Sequence, residues 1–362
     1  EEKQDLNLSF LSAPSDLLLP VLCPNPRRTS LWFAFHPPSQ TWKRFPSFLL
    51  TSFHIMYPIL SSHKGLLLLR NAETSHFHVY NLFTHEHRPL PIPPSHLLPG
   101  HRNQYTYHQS SLTKRNWIRH SHLHVEDNLL SYSVYVIFSD VSSSQGLISW
   151  PQDWARFDSK IDQWQPLSVL SPIQIPPAYF KDIDRIVVLH DAIYTVVKDR
   201  YNTTYLLVRY HISTSMWSLV SDLHSPAYAT VARLRDSLVL ATSHRNSFHI
   251  YLYSFGHGAD TDQLEQIGCT EGRTDLHSFL STCSNKNWYA TTSATPPCIY
   301  ILQKEDVEAI LEYNLVYQTW KLIPIPRHMM EPEDCCIASC VCLDGYELGL
   351  KTRATFRNTS EN

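Results

Sequence analysis

Glycine is scarce in this chain: nine residues among 362, and nowhere two in succession. That scarcity leaves little room for glycine-rich phosphate cradles, and Gly256-His257-Gly258 is a lone fragment without the helix such a loop would feed. Charge is also sparse. Only 17% of residues are charged and the net charge is −3, with no basic stripe interleaved with aromatics, which argues against a nucleic-acid binder. The longest apolar run is too short to span a bilayer, and the first residues are acidic with no apolar leader core. A membrane partner is therefore not expected. The G-x-S-x-G elbow of hydrolases is absent, and pairs such as Glu331 and Glu333 read as solvated turns.

Cysteine is too infrequent for a disulfide scaffold, with eight residues in this length, four of them gathered at Cys335, Cys336, Cys340 and Cys342. Strand rise would spread that group too far for one tetrahedral ion, so the cysteines read as small buried apolar side chains. Reduced thiols imply a cytoplasmic or nuclear location.

Histidine, by contrast, is abundant at 21 residues. An extended His120-Ser-His122-Leu-His124-Val-Glu126 would set three imidazoles on one strand face, with Glu126 as a further ligand for a divalent ion. One element alone rarely completes such a site, so no metal and no cofactor are expected.

The most informative feature is a signature repeated six times: an aromatic residue, a polar turn, and a Trp seven positions on. It reads Phe35 to Trp42, Tyr80 to His87, Phe157 to Trp164, Tyr210 to Trp217 and Tyr313 to Trp320, with a degenerate copy between Tyr253 and Leu264. Successive copies are 45, 77, 53, 47 and 56 residues apart when His87 and Leu264 stand for the Trp. Such periods belong to propeller blades, solenoids or arrays. Ahead of each signature lie short runs such as Arg185 to His190, Ala192 to Lys198 and Thr204 to His211, β-rich and bounded by polar clusters. Each unit therefore holds four strands. The 24 prolines, spread along the chain, would break helices but suit strand ends. Two segments fit either state: the one opening Ser15-Asp16 and the one from Glu305 to Glu312.

Four-stranded units cannot bury both faces alone, and stacking them radially removes long exposed edges. The expected fold is all-β: a six-bladed β-propeller of four-stranded antiparallel blades. Its expected organisation is an N-terminal extension over 1–29, one propeller domain over 30–352 and a tail over 353–362. Ser30 to Phe35 and Thr41 to Phe45 supply the outer strands of the first blade, and Cys335 to Leu343 with Tyr346 to Leu350 are expected to supply its inner pair, closing the ring.

These repeats resemble the kelch-type, F-box-associated propellers of plant F-box proteins, from about Leu31 to Leu350. The missing Gly-Gly pair marks a divergent member. The resemblance implies a recognition module that holds a protein substrate for an F-box-type (SCF, cullin-RING) ubiquitin ligase and is not itself catalytic. It also implies an SKP1-like adaptor as partner if an F-box precedes Glu1; Pro14 to Leu22 echoes only the first helix of one. The alternative is a propeller enzyme or small-ligand receptor with its site at the central channel. In either case loops carry recognition. Asn71, Glu73, Arg200, Tyr201 and Arg245 are expected between second and third strands, and Arg273, Arg327 and His328 between blades. Arg and Tyr are favoured there because one broad side chain supplies both area and directional hydrogen bonds.

Overall fold

The computed structural model describes residues 19–22, 32–36, 41–45, 59–63, 66–71, 76–81, 86–94, 118–126, 131–138, 154–167, 182–198, 204–223, 226–244, 247–256, 263–283, 288–294, 297–303 and 309–326. Those residues form a β-propeller. Five antiparallel sheets have four strands each: Ile59–His63, Leu66–Arg70, Phe77–Asn81 and His87–Pro89 (β4–β7); Ile118–Val125, Tyr132–Phe138, Trp154–Asp158 and Gln163–Pro166 (β8–β11); Asp182–Leu189, Ala192–Lys198, Tyr205–His211 and Met216–Leu223 (β12–β15); Pro226–Leu234, Ser237–His244, Ser247–Gly256 and Glu265–Cys269 (β16–β19); and Trp288–Ala294, Pro297–Gln303, Ala309–Asn314 and Thr319–Pro324 (β20–β23). Within each sheet the strands follow chain order.

Six four-stranded blades were expected, and the structure has five. The first sheet has three strands, Leu19–Leu22 (β1), Trp32–His36 (β2) and Thr41–Phe45 (β3). β1 pairs antiparallel with β2, Leu19 opposite Phe35, so a strand already lies where the sequence promised only an extension. A four-residue run with Pro20 inside it is too short to announce itself by periodicity. The tail expected to complete this sheet, with its four cysteines, lies outside the described residues.

The repeated signature is a cross-strand pair. Phe35 stands opposite Trp42, Tyr80 opposite His87, Phe157 opposite Trp164, Tyr210 opposite Trp217 and Tyr313 opposite Trp320. Seven positions are what a four-residue hairpin turn needs to bring such a pair face to face. Asp162, Ser215 and Gln318 occupy the same last turn position, each at a positive φ near 55° (56°, 55° and 52°), which returns the chain into the outer strand. The degenerate copy is an exception: Tyr253 faces Gln266 rather than Leu264, after a bulge at Leu252/Tyr253.

The packing explains why the strands read as continuous apolar runs instead of alternating ones. Along β9, Tyr132, Val134 and Val136 pack towards the second sheet, while Tyr135 and Ile137 pack towards the fourth. Each of the four described cores lies between two consecutive sheets, so middle strands are buried on both faces. All of Leu66 to Leu69 are at most 1% exposed. The indoles add directional ties between sheets. Trp164 donates to the Pro91 carbonyl at 2.7 Å and Trp320 to that of Cys269 at 2.9 Å, each at or just beyond the outer strand of the preceding sheet. Trp42 makes the same bond to the Pro324 carbonyl at 2.9 Å, which places the first sheet beside the last.

Among the described residues, close packing demands a glycine at Gly268 on β19, where a Cβ would come within 2.8 Å of the Tyr313 ring. A short helix, α1 (His277–Cys283), follows a 3₁₀ turn over Thr274–Leu276 between the fifth and sixth sheets. The sequence reading missed it. Leu276, Phe279 and Leu280 share one face at i, i+3, i+4 spacing and join the core between those sheets. Of the segment from Glu305 to Glu312, the described part is strand: Ala309–Asn314 is β22.

Candidate functional site at the ring axis

The first strand of each sheet is innermost, and its inner edge has backbone N–H and C=O groups that no neighbouring strand satisfies. Polar side chains from other blades take up that role. Ser61 Oγ accepts from the Leu123 N–H at 3.1 Å and His63 Nδ1 from the Val125 N–H at 2.7 Å, tying β4 to β8. His122 Nε2 accepts from the Val188 N–H at 3.5 Å, tying β8 to β12. Thr292 on β20 donates its hydroxyl to the Arg233 carbonyl on β16.

Two guanidinium groups reach past an intervening blade. Arg185 on β12 donates to the Ala290 carbonyl on β20 at 2.5 Å. Arg233 on β16 meets His124 Nδ1 on β8 at 3.3 Å and donates to the Val188 carbonyl at 3.4 Å. Its Nε also donates to the Arg235 carbonyl at 2.8 Å. His63 stacks on His124 with ring centroids 5.2 Å apart. The axis is thus lined by two arginines and three histidines drawn from four blades.

Neutral imidazoles suit this setting. A ring nitrogen that accepts a hydrogen bond has no proton, and each of the three rings accepts one. Burial, together with His124, Arg185 and Arg233 alongside, holds the His122 pKa well below its ordinary value of 6.5. The unfolded chain therefore takes up a proton at His122 as pH drops below 6.5 while the folded chain does not, so stability falls in that range. His78, lowered by burial and by His87 and His76, acts with the same sign. Melting temperature is expected to decline below pH 6.5, and His122→Gln should flatten that decline. A variant whose pH slope matched the parent's would show that His122 is not its source.

The histidine run does not assemble with Glu126. That carboxylate receives the Lys160 ammonium at 2.5 Å and the Ser131 hydroxyl at 2.8 Å, with Arg156 at 3.8 Å. Its pKa is lowered by those partners against the opposing effect of burial, which is the largest single influence. The His120 side chain lies outside the described residues. Among the described residues no group of three or more His, Cys, Asp or Glu is placed to hold a metal ion.

Of the eight loop residues expected to bind a partner, two are described. Asn71 follows β5 at the start of the connection to β6, where its N–H donates to the His76 carbonyl at 2.8 Å. Arg273 sits between the fifth and sixth sheets, held by two bonds to Asp275 at 2.8 and 2.7 Å and one to the Trp320 carbonyl at 3.2 Å. Glu73, Arg200, Tyr201, Arg245, Arg327 and His328 lie outside the described residues. Reasoning from loops overlooked the axis. Its signal was the period-2 spacing of His122 and His124, but their partners on other blades had no signal at all.

No protein-family model matches the chain, and no curated protein matches it. Solved structures similar to it include a chain of a nidogen/laminin complex, 7% identical over 91% of this chain and 98% of that one, with a TM-score of 0.47. Another is the beta-propeller domain of Myceliophteria thermophila Cps50 (Swd1), 8% identical over 87% and 88%, with a TM-score of 0.42. A third is YCF48 from Cyanidioschyzon merolae, 7% identical over 90% and 88%, with a TM-score of 0.41. At such identities and scores no function transfers, and the propeller assignment rests on the sheets themselves. No helix among the described residues is long and apolar enough to cross a membrane.

Proposed function

We propose that this chain is a protein-recognition module that transfers nothing itself. The observation that carries the reading is how the strands are used. Their faces are buried between blades, so a partner meets loops that rigid sheets hold in place. The antiparallel chain-order topology puts loops from second to third strands, and loops joining one blade to the next, at the same end of the ring. Asn71, Glu73, Arg200, Tyr201, Arg245, Arg273, Arg327 and His328 all belong to those two loop classes. The partner surface is that end.

The finer reading follows the kelch-like signature: the propeller presents a substrate to an F-box-type ubiquitin ligase in the cytoplasm or nucleus. The ring in this reading has six units, the three-stranded first sheet being completed by the chain after residue 326. The Trp42 bond to Pro324 supports that closure, because it repeats between first and last sheets the tie made by Trp164 and Trp320.

A charge-reversal scan of Arg200, Arg245, Arg273 and Arg327 to Glu tests the reading. Binding to the native partner in a pull-down is expected to fall for at least one variant, with melting unchanged. Four variants that fold and bind as the parent does would move the site elsewhere, to the long segment between Pro99 and Asp127.

A further inference from the structure

We propose that β15, the outer strand of the fourth sheet, is the docking edge for a second copy of this chain, which it meets antiparallel, β15 against β15, across a two-fold axis. The contact lies on the rim of the ring, so the proposal does not depend on the protein-recognition reading, which concerns the loops at one end.

An outer strand offers backbone N–H and C=O groups to any passing strand, and charge, proline or shortness blunts that edge. Five of the six described outer strands have such a guard. β3 has Lys43 and Arg44, β7 is three residues long with Arg88 and Pro89, β11 is four residues long and ends in Pro166, β19 begins with Glu265, and β23 has Lys321 and ends in Pro324. β15 has eight residues, more than any of these, with no Lys, Arg or Pro, and Asp222 near its end is its sole charge. Among the described residues no strand pairs with its outer side. Met216 and Leu219 on it are 46% and 47% exposed.

The degenerate repeat accounts for the bare edge. Trp164, Trp320 and Trp42 each bond a carbonyl at or just beyond the outer strand of the preceding sheet. After β15 that indole is missing: Gln266 stands opposite Tyr253, and the sequence has no Trp between Trp217 and Trp288. The second sheet also lacks it, with His87 in its place, but β3 ahead of that sheet has its two cations.

Self-complementarity selects a second copy as the occupant. Leu219 stands opposite Val208 and Trp217 opposite Tyr210, on one face of the sheet. A two-fold pairing centred on Ser218 sets Leu219 of each copy across from Trp217 of the other, which gathers four apolar side chains on that face. The three central pairs lie ahead of the bulge, where Val220 is the extra residue. Asp222 falls opposite Thr214 in this register and meets no like charge. Arg209, which donates to Ser218 at 3.2 Å, is one strand further in, so its two copies stand about 14 Å apart, beyond the screening length of about 8 Å at physiological ionic strength. The same operation on β3 or β7 would set Lys43 or Arg88 against itself.

Sedimentation equilibrium of the intact chain over rising concentration tests this. The weight-average mass is expected to climb reversibly from one chain towards two and to stop there, because a two-fold contact closes on itself. Leu219→Lys gives this edge the guard that others have, at a half-exposed position. It should raise the dissociation constant by about tenfold or more and leave the melting of the dilute chain unchanged. Ser218→Cys should link two chains on mild oxidation, in excess of any linkage in the parent, while Ser221→Cys, away from the centre, should not. A mass of one chain at every concentration would overturn the proposal and leave the edge to a strand of another protein. A dimer that Leu219→Lys leaves intact would overturn it too, as would equal linkage through Ser218→Cys and Ser221→Cys. If Leu219→Lys does not fold, the two cysteine variants decide.

Discussion

Trp217→Ala is expected to destabilise the protein by about 3–5 kcal/mol, the usual cost of emptying a large aromatic site in a core that cannot collapse around it. Trp217 is 7% exposed and closes the outer hairpin of its sheet against Tyr210, with ring centroids 5.2 Å apart. Its other neighbour is Trp154 of the preceding sheet, edge-on at 5.3 Å. The indole therefore serves hairpin and blade interface together, and its loss leaves a void bounded by strands from two sheets. The next residue towards the N-terminus provides the control. Met216 is 46% exposed, and Met216→Ala should stay within about 0.5 kcal/mol of the parent. Equal denaturant midpoints for the two variants would place Trp217 outside the interface.

Removal of the residues after Glu333 should leave the protein aggregated or unfolded. Among the described residues the first sheet has three strands, and an innermost strand left without a partner offers its ladder to any other chain. If the tail covers that edge, its deletion opens the ring between the first and last sheets, and the truncated chain is expected to aggregate or to melt at a much lower temperature. A monodisperse truncated protein with unchanged melting would show that the tail is not part of the ring.

Much of the fold was legible because its key contact is local. An aromatic and a Trp seven residues apart form one cross-strand pair across a four-residue turn, so a spacing in the sequence translates directly into a hairpin. Where the loop lengthens and a bulge intervenes, as between Tyr253 and Gln266, the same arithmetic pairs the wrong residues. Elements of one turn or two were lost for a related reason. β1 has four residues and α1 has seven, each below the length at which periodicity separates strand from helix. The axis was the least legible part. His122 and His124 were readable as sharing a strand face, but Arg185 and Arg233 lie 63 and 109 residues from them in the pairs His122–Arg185 and His124–Arg233, and only the stacking of three consecutive blades around the axis brings these groups together. Of the loop residues, Asn71 and Arg273 lie in connections that the strand order defines, after β5 and after β19.

The closed ring underlies both the packing and the recognition surface, and the Trp42 indole reports on it most directly. With isotope label confined to the nine tryptophans, each indole N–H gives one signal, and Trp42→Phe assigns the one concerned. A ring in which Trp42 donates to the Pro324 carbonyl at 2.9 Å predicts slow solvent exchange, comparable with the Trp164 and Trp320 indoles, and a nuclear Overhauser contact to Pro324. An indole of Trp42 that exchanges as fast as free tryptophan, with no contact to Pro324, would contradict closure of the first sheet onto the last.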